Sequence, residues 1–256
     1  MIWNLFSQED NGMTFTKLVD VFVPVSDLDR SVPWYIKVLG LRLLGRDNEH
    51  ARLSFYEGTC LTLTRQKELN TYSAVAFNVN VYDAHVDYVR MKDAGVTMVE
   101  KLKPLQSMSR FTIADPDGNP IEIVGWEESG HEKTGTIRLG GAYLPVKDLD
   151  KSTDWYESNL NALIGQRFTI SPSGGTDEVR AVAFTNINLC LIETPQNAPL
   201  EHRAFTIGST DPRGDYELLR YRSAVKLSTL TKEFNRDVFG LLDPDDNQIG
   251  IIGILH

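Results

Sequence analysis

Cysteine is scarce. The 256-residue chain holds two, Cys60 and Cys190, far apart in sequence. A small secreted scaffold would carry more, so a disulfide framework is disfavoured and a reducing, cytoplasmic setting is expected. Basic residues are the minority, with 26 Lys+Arg against 35 Asp+Glu and a formal net charge of −9. That balance argues against a nucleic-acid partner, which needs a basic face, and makes a cationic ligand easier to accommodate. No apolar run reaches the length of a membrane span, so no membrane partner is expected. The opening MIWNLFSQEDNG has neither a basic leader nor a long apolar core and does not read as a secretory signal. With 24% charged and 41% hydrophobic residues, the composition is that of a globular protein of one large or two ordinary domains.

What is present is a repeat. The run Val23-Pro24-Val25-Ser26-Asp27-Leu28-Asp29-Arg30-Ser31, followed by Trp34-Tyr35 and Leu39, returns 121 residues later. The second copy is Leu144-Pro145-Val146-Lys147-Asp148-Leu149-Asp150-Lys151-Ser152, followed by Trp155-Tyr156 and Leu160. Near the far end of each copy, DPDGNPIEI (115–123) recurs as DPDDNQIGI (243–251). Two matches in the same order mean a duplicated domain rather than a short-period solenoid. The boundaries read as an extension over 1–12, a first domain over 13–126, a polar linker over 127–136 and a second domain over 137–256.

Within each copy the signals run strand, helix, strands. Val19, Val21, Val23 and Val25 share one face of a strand, and Asp20 and Phe22 share the other. Asp27 can cap a helix carrying Leu28, Val32, Tyr35 and Leu39, which stops at Gly40. Asn161 stands at the matching stop in the second copy. Further strands are expected over 41–44, 51–56 and 60–64. A second round follows, with a strand over 75–81, a helix over 84–94 and strands over 97–99, 109–114 and 120–125. The turn residues of DPDGNP join the last two as a hairpin. The second copy reads alike but weakens after Thr210, where Ser209–Gly214 interrupts a tidy helix start.

The pattern VxDLxxSxxWY…LGL, a strand opening xxAF, and DPDGNPIEIVG together resemble the vicinal-oxygen-chelate superfamily of glyoxalases, ring-cleaving dioxygenases and bleomycin-resistance proteins. The resemblance spans roughly residues 17–126 and 137–254. It implies an α+β fold of tandem domains, each made of two βαβββ units whose curled mixed sheets form a cup. It also implies a small-molecule ligand in the cup, often a divalent metal (Mg, Mn, Fe or Zn), and a homodimer as one assembly.

In that family the metal ligands come from inward-facing positions on first and last strands. By motif these are Asp20 and Gly141 on the first strands, Thr62 and Cys190 on the fourth, Ala74 and His202 at xxAF, and Glu122 and Gly250 on the last. The first domain thus keeps Asp20 and Glu122, two carboxylates that would suit a hard cation if they converge. Otherwise Asp20 is solvated or bonded to backbone, and Glu122 is a relic. His202 is the remaining metal candidate, unless it serves packing, and it faces Asp20 and Thr62 only if the domains exchange halves. Phe22, Thr62, Asn78, Tyr143 and Cys190 are candidate ligand contacts, with packing the alternative.

Two functions follow. One is metal-assisted lyase, isomerase or dioxygenase chemistry on a small oxygenated molecule. The other is metal-free sequestration of a drug or metabolite without catalysis. The vacated ligand positions weigh against the first, since neither copy keeps a two-His-one-carboxylate triad.

Overall fold

A computed structural model describes residues 12–67, 76–105, 107–126, 135–170, 178–196, 200, 202–222, 225–233 and 235–254. The expected extension, apart from Gly12, and residues 127–134 of the expected linker lie outside these, as does Ala74.

Four modules follow one another, three of them βαβββ and the fourth with one extra short strand. The first is β1 (Phe15–Val25), α1 (Leu28–Leu39), β2 (Arg42–Arg46), β3 (His50–Ser54) and β4 (Cys60–Arg65). The second is β5 (Phe77–Asp83), α2 (Ala84–Asp93), β6 (Thr97–Leu105), β7 (Met108–Ala114) and β8 (Pro120–Trp126). The third is β9 (Thr136–Val146), α3 (Leu149–Leu160), β10 (Ile164–Ile170), β11 (Val179–Phe184) and β12 (Leu189–Glu193). The fourth is β13 (Arg203–Ser209), α4 (Pro212–Arg220), β14 (Lys226–Leu227), β15 (Thr231–Glu233), β16 (Arg236–Leu242) and β17 (Gln248–Gly253).

The helices begin and end as their local chemistry dictates. Asp27 accepts from the amide of Asp29 and Asp148 from that of Lys151, satisfying orphan donors of the first turn. Gly40 and Asn161 close α1 and α3 in the left-handed conformation, at φ 67° and 51°. The weak start expected after Thr210 is instead a well-formed one. Asp211 caps α4 through the amide of Gly214, and Pro212 opens the helix, where its missing N–H costs nothing. β6 runs on to Leu105, past the expected end at Val99. Its Pro104 is tolerated because β6 is the outer strand of its sheet, with no ladder partner beyond it among the described residues.

The sheets do not follow the sequence halves. The first has the order β14-β16-β17-β13-β1-β4-β3-β2, with β15 on β16, and so joins module one to module four. The second has the order β10-β11-β12-β9-β5-β8-β7-β6 and joins module two to module three. The seams are antiparallel, β1 on β13 with Asp20 opposite Thr206, and β5 on β9 with Asn78 opposite Gly141. This is the exchange of halves that the sequence left open. β1 carries register shifts between Phe15 and Asp20. Beyond them Val21, Val23 and Val25 are buried as expected, whereas Val19 turns to the concave side.

One apolar core gathers both sheets and their helices. Two matched clasps cross it. Tyr35 on α1 donates to Asp115 Oδ2 at 2.9 Å, in the β7–β8 turn of the other sheet. Asp115 also accepts from the Asn119 side chain and from the amides of Asp117 and Asn119. Asn119 then donates to the Pro24 carbonyl at 2.8 Å. In the second copy Tyr156 on α3 donates to Asp243 at 3.2 Å, and Asn247 and Asp245 complete the turn. Both tyrosines are fully buried. Burial, and then the facing carboxylate of Asp243, hold the Tyr156 phenol well above its usual range.

Each clasp is a hydrogen bond from a phenol to a buried carboxyl group, so removing the donor leaves that group under-satisfied. Tyr35→Phe and Tyr156→Phe should each cost roughly 1–3 kcal/mol in urea unfolding. The costs should add in the double variant, because the clasps share no residue. An effect near zero in either would show that the clasp carries no stability.

Candidate functional site

The concave side of the first sheet holds a cavity of about 770 Å³, within the range of small-molecule pockets. Its floor is built around Asp20 of β1, buried at 6% exposure. Arg52 of β3 donates Nε to Asp20 Oδ2 at 3.0 Å. Thr62 of β4 donates its hydroxyl to the same carboxyl group, at 3.0 and 3.1 Å to the two oxygens. Burial pushes the Asp20 carboxyl up to about 6, against the pull of Arg52, Thr62 and Arg203.

Arg203, at the start of β13, reaches in from the other side of β1. Its guanidinium carbon stands 5.4 Å from the Phe22 ring centroid, within cation–π range. Glycine at position 250 makes that path available. A Cβ there would lie 2.7 Å from Thr206 Oγ1, closer than real side chains come, and 3.0 and 3.1 Å from Cδ and Nε of Arg203, which would have to give by a few tenths of an ångström. The rim adds Arg46, Asp47 and His50 from the β2–β3 hairpin, and Glu233 and Arg236 from β15 and β16. His202 lines the cavity too, and burial lowers its imidazole to about 4, so it is neutral at neutral pH.

The lining therefore carries four guanidiniums against three carboxylates. The acidic surplus of the whole chain does not extend into the lining of this cup.

The second sheet has a different centre. Glu122 of β8 accepts from Arg110 at 2.6 Å on one oxygen and from the Tyr143 phenol at 2.5 Å on the other. Asn78 of β5 donates to the same phenol at 3.3 Å. Burial, and then the Glu122 carboxylate, keep the Tyr143 proton in place by raising that phenol well above its usual range. Cys190 packs with Ala181 and Ile192, and with Tyr143, Phe168, Ile170 and Val179 against them. Burial and Glu122 push its thiol up to about 12. Apolar packing and a satisfied Glu–Arg–Tyr group thus sit at this centre.

The candidate residues read from sequence divide four and four. Asp20, Phe22, Thr62 and His202 meet in the first cup. Asn78, Glu122, Tyr143 and Cys190 meet in the second. The expectation that Asp20 and Glu122 converge on one cation is corrected, because β1 and β8 belong to different sheets. Each carboxyl group has instead its own arginine, at 3.0 Å and 2.6 Å.

Neither donor set fits a divalent metal. Both oxygens of Asp20 and both of Glu122 already accept hydrogen bonds. Among the described residues no three His, Cys, Asp or Glu side chains gather as a metal site.

Sequence reasoning missed Arg52, Arg110, Arg203 and Arg236. Alternation could have found Arg52, which stands between the buried Ala51 and Leu53 and so must face the opposite side of β3. Arg203 gives no such signal, because its role depends on the distant Gly250.

Residues 17–123 match the family model described as the Glyoxalase/Bleomycin resistance protein/Dioxygenase superfamily. No curated protein matches the sequence. Glyoxalase I from Zea mays shares the fold over 93% of this chain and 92% of its own, at 18% identity and a TM-score of 0.72. A point mutant of that maize enzyme covers 95% and 94% at 18% identity, with a TM-score of 0.73. A Bacillus subtilis protein of proposed dioxygenase activity covers 94% and 86% at 15% identity, with a TM-score of 0.68. These likenesses are of fold. Together with the family match over residues 17–123 and the internal repeat, they show a tandem βαβββ fold like that of the glyoxalase, bleomycin-resistance and dioxygenase proteins, which this chain resembles.

Proposed function

We propose that this protein binds a small molecule in the cup shared by modules one and four, and does so without a resident metal ion. The observation that carries this reading is the state of Asp20. It stands at the first-strand ligand position, yet Arg52 and Thr62 already occupy its oxygens beneath a cavity of about 770 Å³. Metal-assisted lyase, isomerase or dioxygenase chemistry needs an open coordination position and several strong donors. The first cup's lining holds three carboxylates and two imidazoles, with Asp20 already engaged, and the second cup holds a satisfied glutamate beside a buried thiol; among the described residues no three of these groups gather as a metal site. Sequestration of a drug or metabolite needs only shape, apolar walls and a few fixed polar groups, and the first cup has these. Among the described residues no helix is long and apolar enough to cross a membrane.

The reading is tested by screening a fragment library against the purified full chain by amide NMR, before and after chelator dialysis. Perturbed resonances should cluster at Asp20, Thr62 and Thr206, with the same pattern in both samples and substoichiometric metal in the first. A stoichiometric divalent ion whose removal abolishes binding would reverse the assignment.

The buried carboxyl also makes a pH prediction. The Asp20 pKa is raised from 3.8 to about 6 by burial. The folded state therefore holds a proton that the unfolded chain releases, and stability falls as pH rises through that interval. Carbon NMR should show Asp20 titrating with a midpoint near 6. Arg52→Met should move the midpoint higher, because Arg52 is the largest influence lowering it. A midpoint in the ordinary carboxylate range would mean that the floor of the cup is wet.

A further inference from the structure

Two arginines approach the floor of the first cup from opposite flanks of β1. Arg52 comes from β3 and bonds Asp20. Arg203 comes from β13, lies across Gly250 and faces Phe22. A guanidinium holds its charge at every physiological pH, so these are fixed cations in a partly desolvated place.

Their balance is incomplete. Asp20 answers Arg52, but burial also drives that carboxyl toward its neutral form. The carboxylate across from Arg203 is Glu233, at 3.9 Å, beyond hydrogen-bond distance. Arg236 also lines the cavity, and among the described residues no salt bridge ends on it. Val19, Phe22, Leu44 and Ile252 supply apolar wall.

A guanidinium presents its donors in a rigid fork that matches the paired oxygens of a carboxylate or phosphate. A cavity with forked cations at its floor and rim and apolar sides is built for an organic molecule that ends in an oxyanion. The arginines hold the ground that a metal ion would need, and they offer a ligand the same attraction for negative oxygen.

We propose that the first cup takes an organic oxyanion, a carboxylate or phosphate carried on an apolar body, with its charged end held by Arg203 and Arg236 beside the Arg52–Asp20 pair. The proposal rests on the small-molecule reading above and narrows it to a ligand class. A cationic drug would meet the same guanidiniums as repulsion.

The test is calorimetry, with amide NMR, on the full chain and four probes of similar bulk: phenylacetate, phenyl phosphate, uncharged 2-phenylethanol and cationic phenethylamine. Both anions should bind, more weakly as salt is added. The alcohol should bind about tenfold or more weakly, and the amine should bind least of all. Whichever anion binds tighter identifies the oxyanion as carboxylate or phosphate. Arg203→Met and Arg236→Met should each lower anion affinity roughly tenfold to a hundredfold, with little effect on the alcohol. Arg203→Lys should recover part of the loss, since it keeps the charge without the fork. Arg236 is only half-buried, so its variant keeps the test intact if Arg203→Met does not fold.

If the alcohol or the amine binds as tightly as the anions, the oxyanion class is wrong while the cup remains a binding site. If neither arginine variant weakens the anions, the assignment of their charged end is wrong. If no probe perturbs the cup at saturating concentration, the ligand class and the small-molecule reading fall together.

Discussion

The hydrogen bond from a buried tyrosine to a buried aspartate, made twice, is the constraint on which the rest of the structure depends. Tyr35 reaches Asp115 and Tyr156 reaches Asp243. In each pair the tyrosine lies on the helix of one module and the aspartate in the last hairpin of the next. The two partners belong to different sheets, so each clasp ties consecutive modules across the core. A module held in this way to its successor pairs its strands elsewhere, and module one meets module four along β1 and β13. The repeated WY and DPD elements are thus two halves of one contact, which accounts for their recurrence as a set.

Pairing of the first and last modules decides what each cup contains. Asp20 and Glu122 occur in one sequence repeat, but the sheets part them and give each an arginine. In the second cup the arginine and a tyrosine satisfy Glu122, and apolar side chains pack around them. In the first cup the arginines leave room. Gly250 lacks the side chain that would clash with Thr206 and press on Arg203, and a cavity remains above Asp20. The two centres therefore differ chiefly in which residues stand opposite the carboxylate, Arg52 and Thr62 at Asp20 and Arg110 and Tyr143 at Glu122.

The architecture was largely legible in the sequence, because its signals are local. Strand alternation in β1, the caps at Asp27 and Asp148, and the left-handed stops at Gly40 and Asn161 each depend on neighbours in the chain. The DPDGN turn is equally local. Asp211-Pro212 was also a local signal, a capping residue followed by proline at the first helical position, and it was misread because the preceding serine and threonine resemble a loop. The pairing of sheets was not legible, since alternation specifies which face a residue takes and not which distant edge its strand joins. Metal candidates could be placed on cup faces but not sorted between cups. The positive character of the first cup was hidden by the net charge, which sums a surface the ligand never meets. Arg52 was within reach of alternation; Arg203 acts through a glycine 47 positions away in the sequence.

The central claim is that fixed guanidiniums, rather than a metal ion, govern the first cup. Its most direct test is a crystal structure grown with phenyl phosphate and a divalent metal, with data collected at the metal's absorption edge. The account predicts phosphate density against Arg203 and Arg236, Arg52 still on Asp20, and no anomalous peak in the cup. An anomalous peak within bonding distance of Asp20 and His202, with Arg52 displaced, would contradict it.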